Sequence, residues 1–161
     1  LMANQIENNN LSIQKEQLYL SELLENTVKL YFLEHLEKNH LTLTIEPNII
    51  YEGDKELLPS IFINLIENAI KYSFEDIKIE VILKKLNGNT VLEISDQGCG
   101  ILDQEKETVF QKFFRSGSEN TRKTKGTGIG LFIVKSICDL HQITIKLANN
   151  KPKGSIFQIK F

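Results

Sequence analysis

The sequence predicts an α+β fold, a two-layer sandwich with helices on one face of a mainly antiparallel sheet. Two pairs of strand-length runs, 77–83 with 90–95 and 143–148 with 155–161, are each joined by turn residues and read as hairpins. Two separate short strands and two helical stretches precede them, and a third helical stretch lies between the hairpins. This is not the strict strand–helix alternation of a parallel sheet. With 161 residues, 41% of them apolar, the chain suits one domain with a full hydrophobic core.

Each element has its own signal. Residues 1–12 are polar and Asn-rich without periodicity, and are expected to be a frayed end. Ser21 is the expected N-cap of a helix to about residue 38, with an apolar stripe of Leu23, Leu24, Thr27, Val28, Leu30 and Tyr31. Leu41, Leu43 and Ile45 alternate with polar residues up to Pro47, a strand, and 49–52 is a second short one. Asp54 is the expected cap of a helix to about residue 73, with an irregular start at Pro59. In the first hairpin, Ile77, Ile79, Val81 and Leu83 lead through Asn87-Gly88-Asn89 to the strand 90–95. Residues 96–126 are rich in Gly, Lys and Ser, with a short helical stretch expected at 104–110. A segment this long in a compact domain reads as a mobile lid, centred on 114–126. A helix is expected over 127–141 with Leu131, Ile133, Val134, Ile137, Cys138 and Leu140 inward, and Lys151-Pro-Lys-Gly154 turns the last hairpin.

Composition narrows the function. A net charge of −2 argues against a general nucleic-acid or membrane-surface binder. No apolar run approaches membrane-helix length and no signal peptide is visible. Cys99 and Cys138 stand in unrelated contexts, which predicts no disulfide and a reducing compartment. The three His residues show no Cys or carboxylate clustering that would suggest zinc.

Four short segments carry the chemistry. On the helix around 64, Asn64, Asn68, Lys71 and Tyr72 share one face, opposite Phe62, Ile63, Leu65, Ile66, Ala69 and Ile70. Asn oxygens are hard ligands suited to Mg²⁺ and Lys71 can reach phosphate oxygens, although a solvated helix face has the same pattern. Asp96 ends a strand in the parity of Leu92 and Ile94, so its carboxylate points to the helix-covered side and needs a partner. The exocyclic amine of adenine is a suitable donor. Gly98 and Gly100 allow a flat base to approach, and a plain Asp-Gly turn is the simpler alternative. Gly126-Thr-Gly128-Ile-Gly130 opens a helix and could turn its N–H groups to phosphates, or serve only as a hinge. Arg115, Arg122, Lys123 and Lys125 bring positive charge to the lid, at least one of them expected at the γ-phosphate. Phe110, Phe113 and Phe114 read as packing that anchors the lid.

In this order and spacing, Asn64–Tyr72, Asp96–Ile101, Phe110–Arg115 and Gly126–Leu131 resemble the N, G1, F and G2 boxes of the catalytic and ATP-binding domain of bacterial sensor histidine kinases, in the GHKL ATPase superfamily. The resemblance runs from about Leu18 to the C-terminus. It implies a mixed five-stranded sheet under three helices, with ATP held beneath a mobile lid. It implies Mg²⁺ on Asn68 with Asn64 nearby, and adenine on Asp96. Lys71, Tyr72 and Arg115 would lie near the phosphates, with Asn64, Lys71 and Arg115 in catalytic roles. Further nucleotide contacts would come from Gly98, Gly100, Ile101, Phe113, Gly126, Thr127, Gly128, Ile129, Gly130 and Leu131. Residues 1–17 would be a linker or the tail of a dimerisation and phosphoacceptor helix, and 18–161 the catalytic domain. The implied partners are that dimerisation domain and a response regulator, with no nucleic acid. The isolated domain is expected to be monomeric and cytoplasmic, whether or not its parent protein is anchored in a membrane.

Two departures matter. Where the family often carries His-Gly-Gly, this chain has His141-Gln142-Ile143, so its turn must be made differently. The family's acceptor His precedes an acidic residue, whereas His35 and His40 precede Leu and His141 precedes Gln. The acceptor would therefore lie on another domain. Two alternatives stand beside the kinase. One is an ATP hydrolase of the gyrase or chaperone type, which carries Glu where this chain has Asn64, a poor base for water. The other is a nucleotide-gated interaction module, against which the intact Asn68, Asp96 and glycines count.

Overall fold

The computed structural model describes residues 12–73, 76–115 and 126–161. Strand β1 (Glu16–Tyr19) leads into helix α1 (Leu20–Glu37), then β2 (Leu41–Ile45), β3 (Ile50–Gly53) and helix α2 (Leu58–Tyr72). The hairpin β4 (Ile79–Leu86) and β5 (Asn89–Asp96) follows, then a 3₁₀ turn (Asp103–Glu105), helix α3 (Gly130–His141), β6 (Thr144–Asn149) and β7 (Ser155–Lys160). The main sheet has the order β2-β4-β5-β7-β6, parallel only between β2 and β4. The three helices pack on one face of this mixed five-stranded sheet, so the expected fold class holds. The core between the layers is built from Leu24, Val28, Phe62, Leu65, Val81, Leu92, Ile94, Val134, Ile137 and Ile159.

Several elements differ from expectation for local reasons. β1 pairs antiparallel with β3 in a two-stranded sheet, Glu16 opposite Gly53, and spans the expected boundary at residues 17 and 18. It has only four residues, mostly exposed, and so no alternating signal. Ser21 does not cap α1. It is buried inside the first turn, where its hydroxyl donates to the Glu46 carbonyl at 2.7 Å and accepts from the Ile49 N–H at 3.0 Å. The inner stripe of α1 holds at Leu24, Thr27 and Val28 and changes toward its end. Phe32 breaks helical geometry at φ −130° and turns inward, while Leu30 and Tyr31 are 76% and 59% exposed.

Asp54 lies one turn ahead of α2. Its Oδ1 accepts from the N–H groups of Glu56 and Leu57, and the helix begins at Leu58 with Pro59 in its first turn. The irregular start expected there is present. Asn87 and Gly88, at φ +50° and +80°, form a two-residue turn whose left-handed backbone matches the twist of the hairpin. The helix expected over 104–110 is reduced to the 3₁₀ turn and further tight turns. Of the expected lid, residues 116–125, with Arg122, Lys123 and Lys125, lie outside the described residues.

Candidate nucleotide site

Helix α2 buries Phe62, Leu65, Ile66 and Ala69 against the sheet. Its other face then looks toward the start of α3, leaving a cavity of about 300 Å³ lined by Asn64, Glu67, Asn68, Lys71, Tyr72, Arg115, Gly126, Thr127, Gly128, Gly130 and Leu131. A second cavity of about 120 Å³ continues from it toward the sheet, lined by Asn68, Ala69, Tyr72, Asp96, Cys99, Gly100, Ile101, Leu131, Ser155 and Phe157. Asn68, Tyr72, Val109, Phe114, Arg115 and Leu131 border both, so the two form one cleft. One end is rich in amide and cationic groups. The other is narrower and more apolar, with one carboxylate.

That carboxylate is Asp96. The β4–β5 register sets it opposite Ile79, in the parity of buried Leu92 and Ile94, and it is 5% exposed. Burial pushes its pKa up, against the N–H groups of Gly98 and Ser155, which donate to Oδ1 at 2.8 and 3.3 Å. Both bonds go to Oδ1. Oδ2 accepts none among the described residues, which leaves an acceptor for a ligand. The loop after Asp96 is held close to α2: Cys99 N–H donates to the Tyr72 carbonyl at 3.1 Å, and a Cβ at Gly98 would run into that carbonyl. Glycine at 98 therefore permits an approach that no other residue could make.

At the wider end the expected residues converge, with distinct surroundings. Asn64 donates from Nδ2 to the Ser60 carbonyl at 2.7 Å, which turns its Oδ1 toward Gly130. Lys71 Nζ lies against Gly126, where a Cβ would collide with it, and 5.0 Å from the centre of the Tyr72 ring. The glycine segment precedes the helix that was expected to begin at 127. α3 starts at Gly130 because Gly128 has φ +70°. Its carbonyl accepts the Phe113 N–H at 2.9 Å, and a Cβ there would lie 2.6 Å from the Phe114 carbonyl oxygen. This contact ties the segment before 116–125 to the segment after it. The first turn of α3, whose leading N–H groups have no partner within the helix, opens onto the wider end.

Not every expected residue lies in the cleft. Phe113 is 64% exposed, at φ +63°, and its ring borders neither cavity, while its neighbour Phe114 borders both. Phe110 packs edge-on against Phe157. Ile129 precedes α3 and borders neither cavity. Sequence reasoning missed Ser155 and Phe157, which reach the narrower end from the last strand, and Val109, Phe114, Glu67 and Cys99. Glu67 alone had a usable signal, since it stands three residues after Asn64 on the same side of α2.

Residues 53–161 match the family described as histidine kinase-, DNA gyrase B-, and HSP90-like ATPase. Sensor protein CiaH of Streptococcus pneumoniae is 37% identical over 107 residues, 66% of this chain and 24% of CiaH. The chain thus spans about a quarter of the length of that relative. Among solved structures, the mycobacterial sensor histidine kinase MprB superimposes with a TM-score of 0.77 at 26% identity, covering 92% of this chain and 97% of MprB. The catalytic domain of histidine kinase ThkA, in a nucleotide-free form, gives 0.76 at 25% identity, covering 92% and 95%.

Proposed function

This chain belongs to the family of histidine kinase-, DNA gyrase B- and HSP90-like ATPases, and from that premise we propose that it is the ATP-binding catalytic domain of a sensor protein-histidine kinase. It would transfer the γ-phosphoryl group of ATP to a His on a separate dimerisation domain, from which a response regulator receives it. One observation supports this above others: a single cleft joins Asp96, at a smaller and more apolar end, to the Asn68, Lys71 and glycine groups at a wider end. Adenine would donate its amine to Asp96. Lys71 and the first N–H groups of α3 would meet the phosphates.

Asn68 Oδ1 is the proposed protein ligand of Mg²⁺, with Asn64 beside it on the same helix face. An amide oxygen in a partly exposed cleft suits an ion that prefers oxygen and keeps its waters. When bound, Mg²⁺ would neutralise charge between the phosphates. The protein's part is to hold the γ-phosphoryl in line with an incoming imidazole. The hydrolase alternative needs a base at 64, and Asn64 is an amide engaged with the Ser60 carbonyl. In this reading residues 1–17 lead from the dimerisation domain, and the domain works as a monomer on the cytoplasmic side of its parent protein.

Incubation with γ-labelled ATP and Mg²⁺, with and without the parent's dimerisation domain added in trans, tests the reading. Label should appear on the added domain's His and not on this chain. Acid-labile phosphate on this chain alone, at His35, His40 or His141, would overturn it. Brisk ATP hydrolysis by the chain alone would favour the hydrolase.

A further inference from the structure

Glu67 borders the wider cavity between Asn64 and Asn68, the one carboxylate among the described residues that line it. It stands four residues before Lys71, the spacing and order that favour a Glu–Lys pair on a helix. On α1 the same arrangement closes twice, as Glu25–Lys29 and Glu34–Lys38. On α2 it does not. Lys71 is drawn to Gly126 and the Tyr72 ring, and Glu67 makes no ion pair or hydrogen bond among the described residues. A bare carboxylate beside a triphosphate site repels the ligand unless a cation stands between them.

We propose that Glu67 is the carboxylate that holds the divalent cation of this site through its water shell, and so makes nucleotide binding depend on the metal. This rests on the ATP reading above. Asn68 supplies a neutral oxygen, and Asn64 is turned toward Gly130, so neither offsets the cation's charge. Glu67 does, and a magnesium ion that keeps several waters can be held by a carboxylate beyond its inner ligands. Without the metal, the same charge excludes free ATP.

The test is a Mg²⁺ titration of fluorescent trinitrophenyl-ATP binding to wild type, Glu67→Gln and Glu67→Asp, with a parallel measurement in EDTA and a melting curve of each apo protein. Glu67→Gln should raise the Mg²⁺ concentration for half-saturation by about tenfold or more. In EDTA it should bind the nucleotide as tightly as wild type or more tightly, and Glu67→Asp should recover part of the Mg²⁺ response. A structural role would weaken binding in parallel under both conditions. That result, or an unchanged half-saturation, would overturn the proposal and leave the ATP reading intact. Failure of the wild type to bind the nucleotide in saturating Mg²⁺ would overturn the ATP reading itself, and this proposal with it.

Discussion

At the residue scale, the cleft depends most on Asp96, a carboxylate kept where water would not choose to leave it. Burial raises its pKa, and among the described residues only Oδ1 is compensated, by the Gly98 and Ser155 N–H groups. The sign of the linkage follows. A group whose folded pKa is raised contributes stability below its ordinary carboxylate value and loses it as pH rises through the folded value. Asp96→Asn keeps an oxygen for the two N–H donors and removes the charge. The apo variant should therefore be at least as stable as wild type at neutral pH, with any advantage fading toward acid pH, as thermal melts across pH would show. Its nucleotide selection should suffer, because guanine presents an oxygen where adenine presents an amine. Wild type should prefer ATP over GTP. Losing a hydrogen bond to a charged acceptor, about 1.5–3 kcal/mol, should cut ATP affinity by about 10–100-fold. Competition of ATP and GTP against a fluorescent nucleotide would test this, and equal wild-type affinity for both would remove Asp96 from the role.

At the scale of elements, the C-terminal end of α3 carries two testable features. Gln142 ends the helix at φ +60°, where its N–H reaches the Asp139 carbonyl and the Ile143 N–H reaches that of Cys138, each at 3.0 Å. This is the left-handed cap that glycine usually fills, so the turn survives at a cost of about 1 kcal/mol. Gln142→Gly should raise stability by roughly that amount, and a lower melting temperature would contradict it. Just before it, His141 is buried. It accepts the Asp54 N–H at Nε2, 3.0 Å away, and its Nδ1 lies 2.9 Å from the Ile137 carbonyl. That arrangement needs the neutral Nδ1–H tautomer. Burial lowers the pKa of His141, assisted by nearby Lys15. A depressed folded value means that stability is fully present above the ordinary imidazole pKa of about 6.5 and falls below it, toward the folded value. His141→Gln should flatten the loss of stability in that window, measured by denaturant melts at several pH values. The contact fastens α3 to the turn ahead of α2, the two helices that bound the cleft.

At the scale of the whole molecule, ligand binding should be visible as stability. The cleft draws on α2, α3, β5, β7 and the loop residues Ile101, Val109, Phe114 and Arg115, so a nucleotide there bridges segments far apart in the chain. At a hundredfold excess over Kd, binding contributes about 2.7 kcal/mol. For a domain of this size that is a rise in Tm of about 5–10 °C. MgATP should produce such a shift and GTP a smaller one. Asn68→Ala should lose most of it, with apo stability within about 0.5 kcal/mol of wild type, because this side chain borders the cleft instead of the core. A large drop in the apo Tm of that variant would return Asn68 to a structural role.

The sequence alone determined what depends on periodicity and local turn chemistry. The hairpin about Asn87-Gly88, the parity that turns Asp96 inward and the polar face of α2 needed no partner to be read. Where a contact between distant segments outweighs local preference, only the tertiary structure decided. Ser21 looked like a cap and became a buried tie to Glu46 and Ile49, while at the break in α1 Phe32 turned inward and Leu30 and Tyr31 outward, with Leu24, Thr27 and Val28 still on the inner face. The positive φ of Gly128, set by its contact with Phe113 and Phe114, delayed α3 by a turn. Phe113 and Phe114 are identical neighbours in sequence, and backbone geometry alone placed the second at the cleft and the first outside it. Ser155 and Phe157 reach the narrower end of the cleft from a strand about sixty residues after Asp96. Periodicity reports how a residue sits on its own element. Which elements meet is settled by the packing of the whole core, and the far wall of the cleft is made of those meetings.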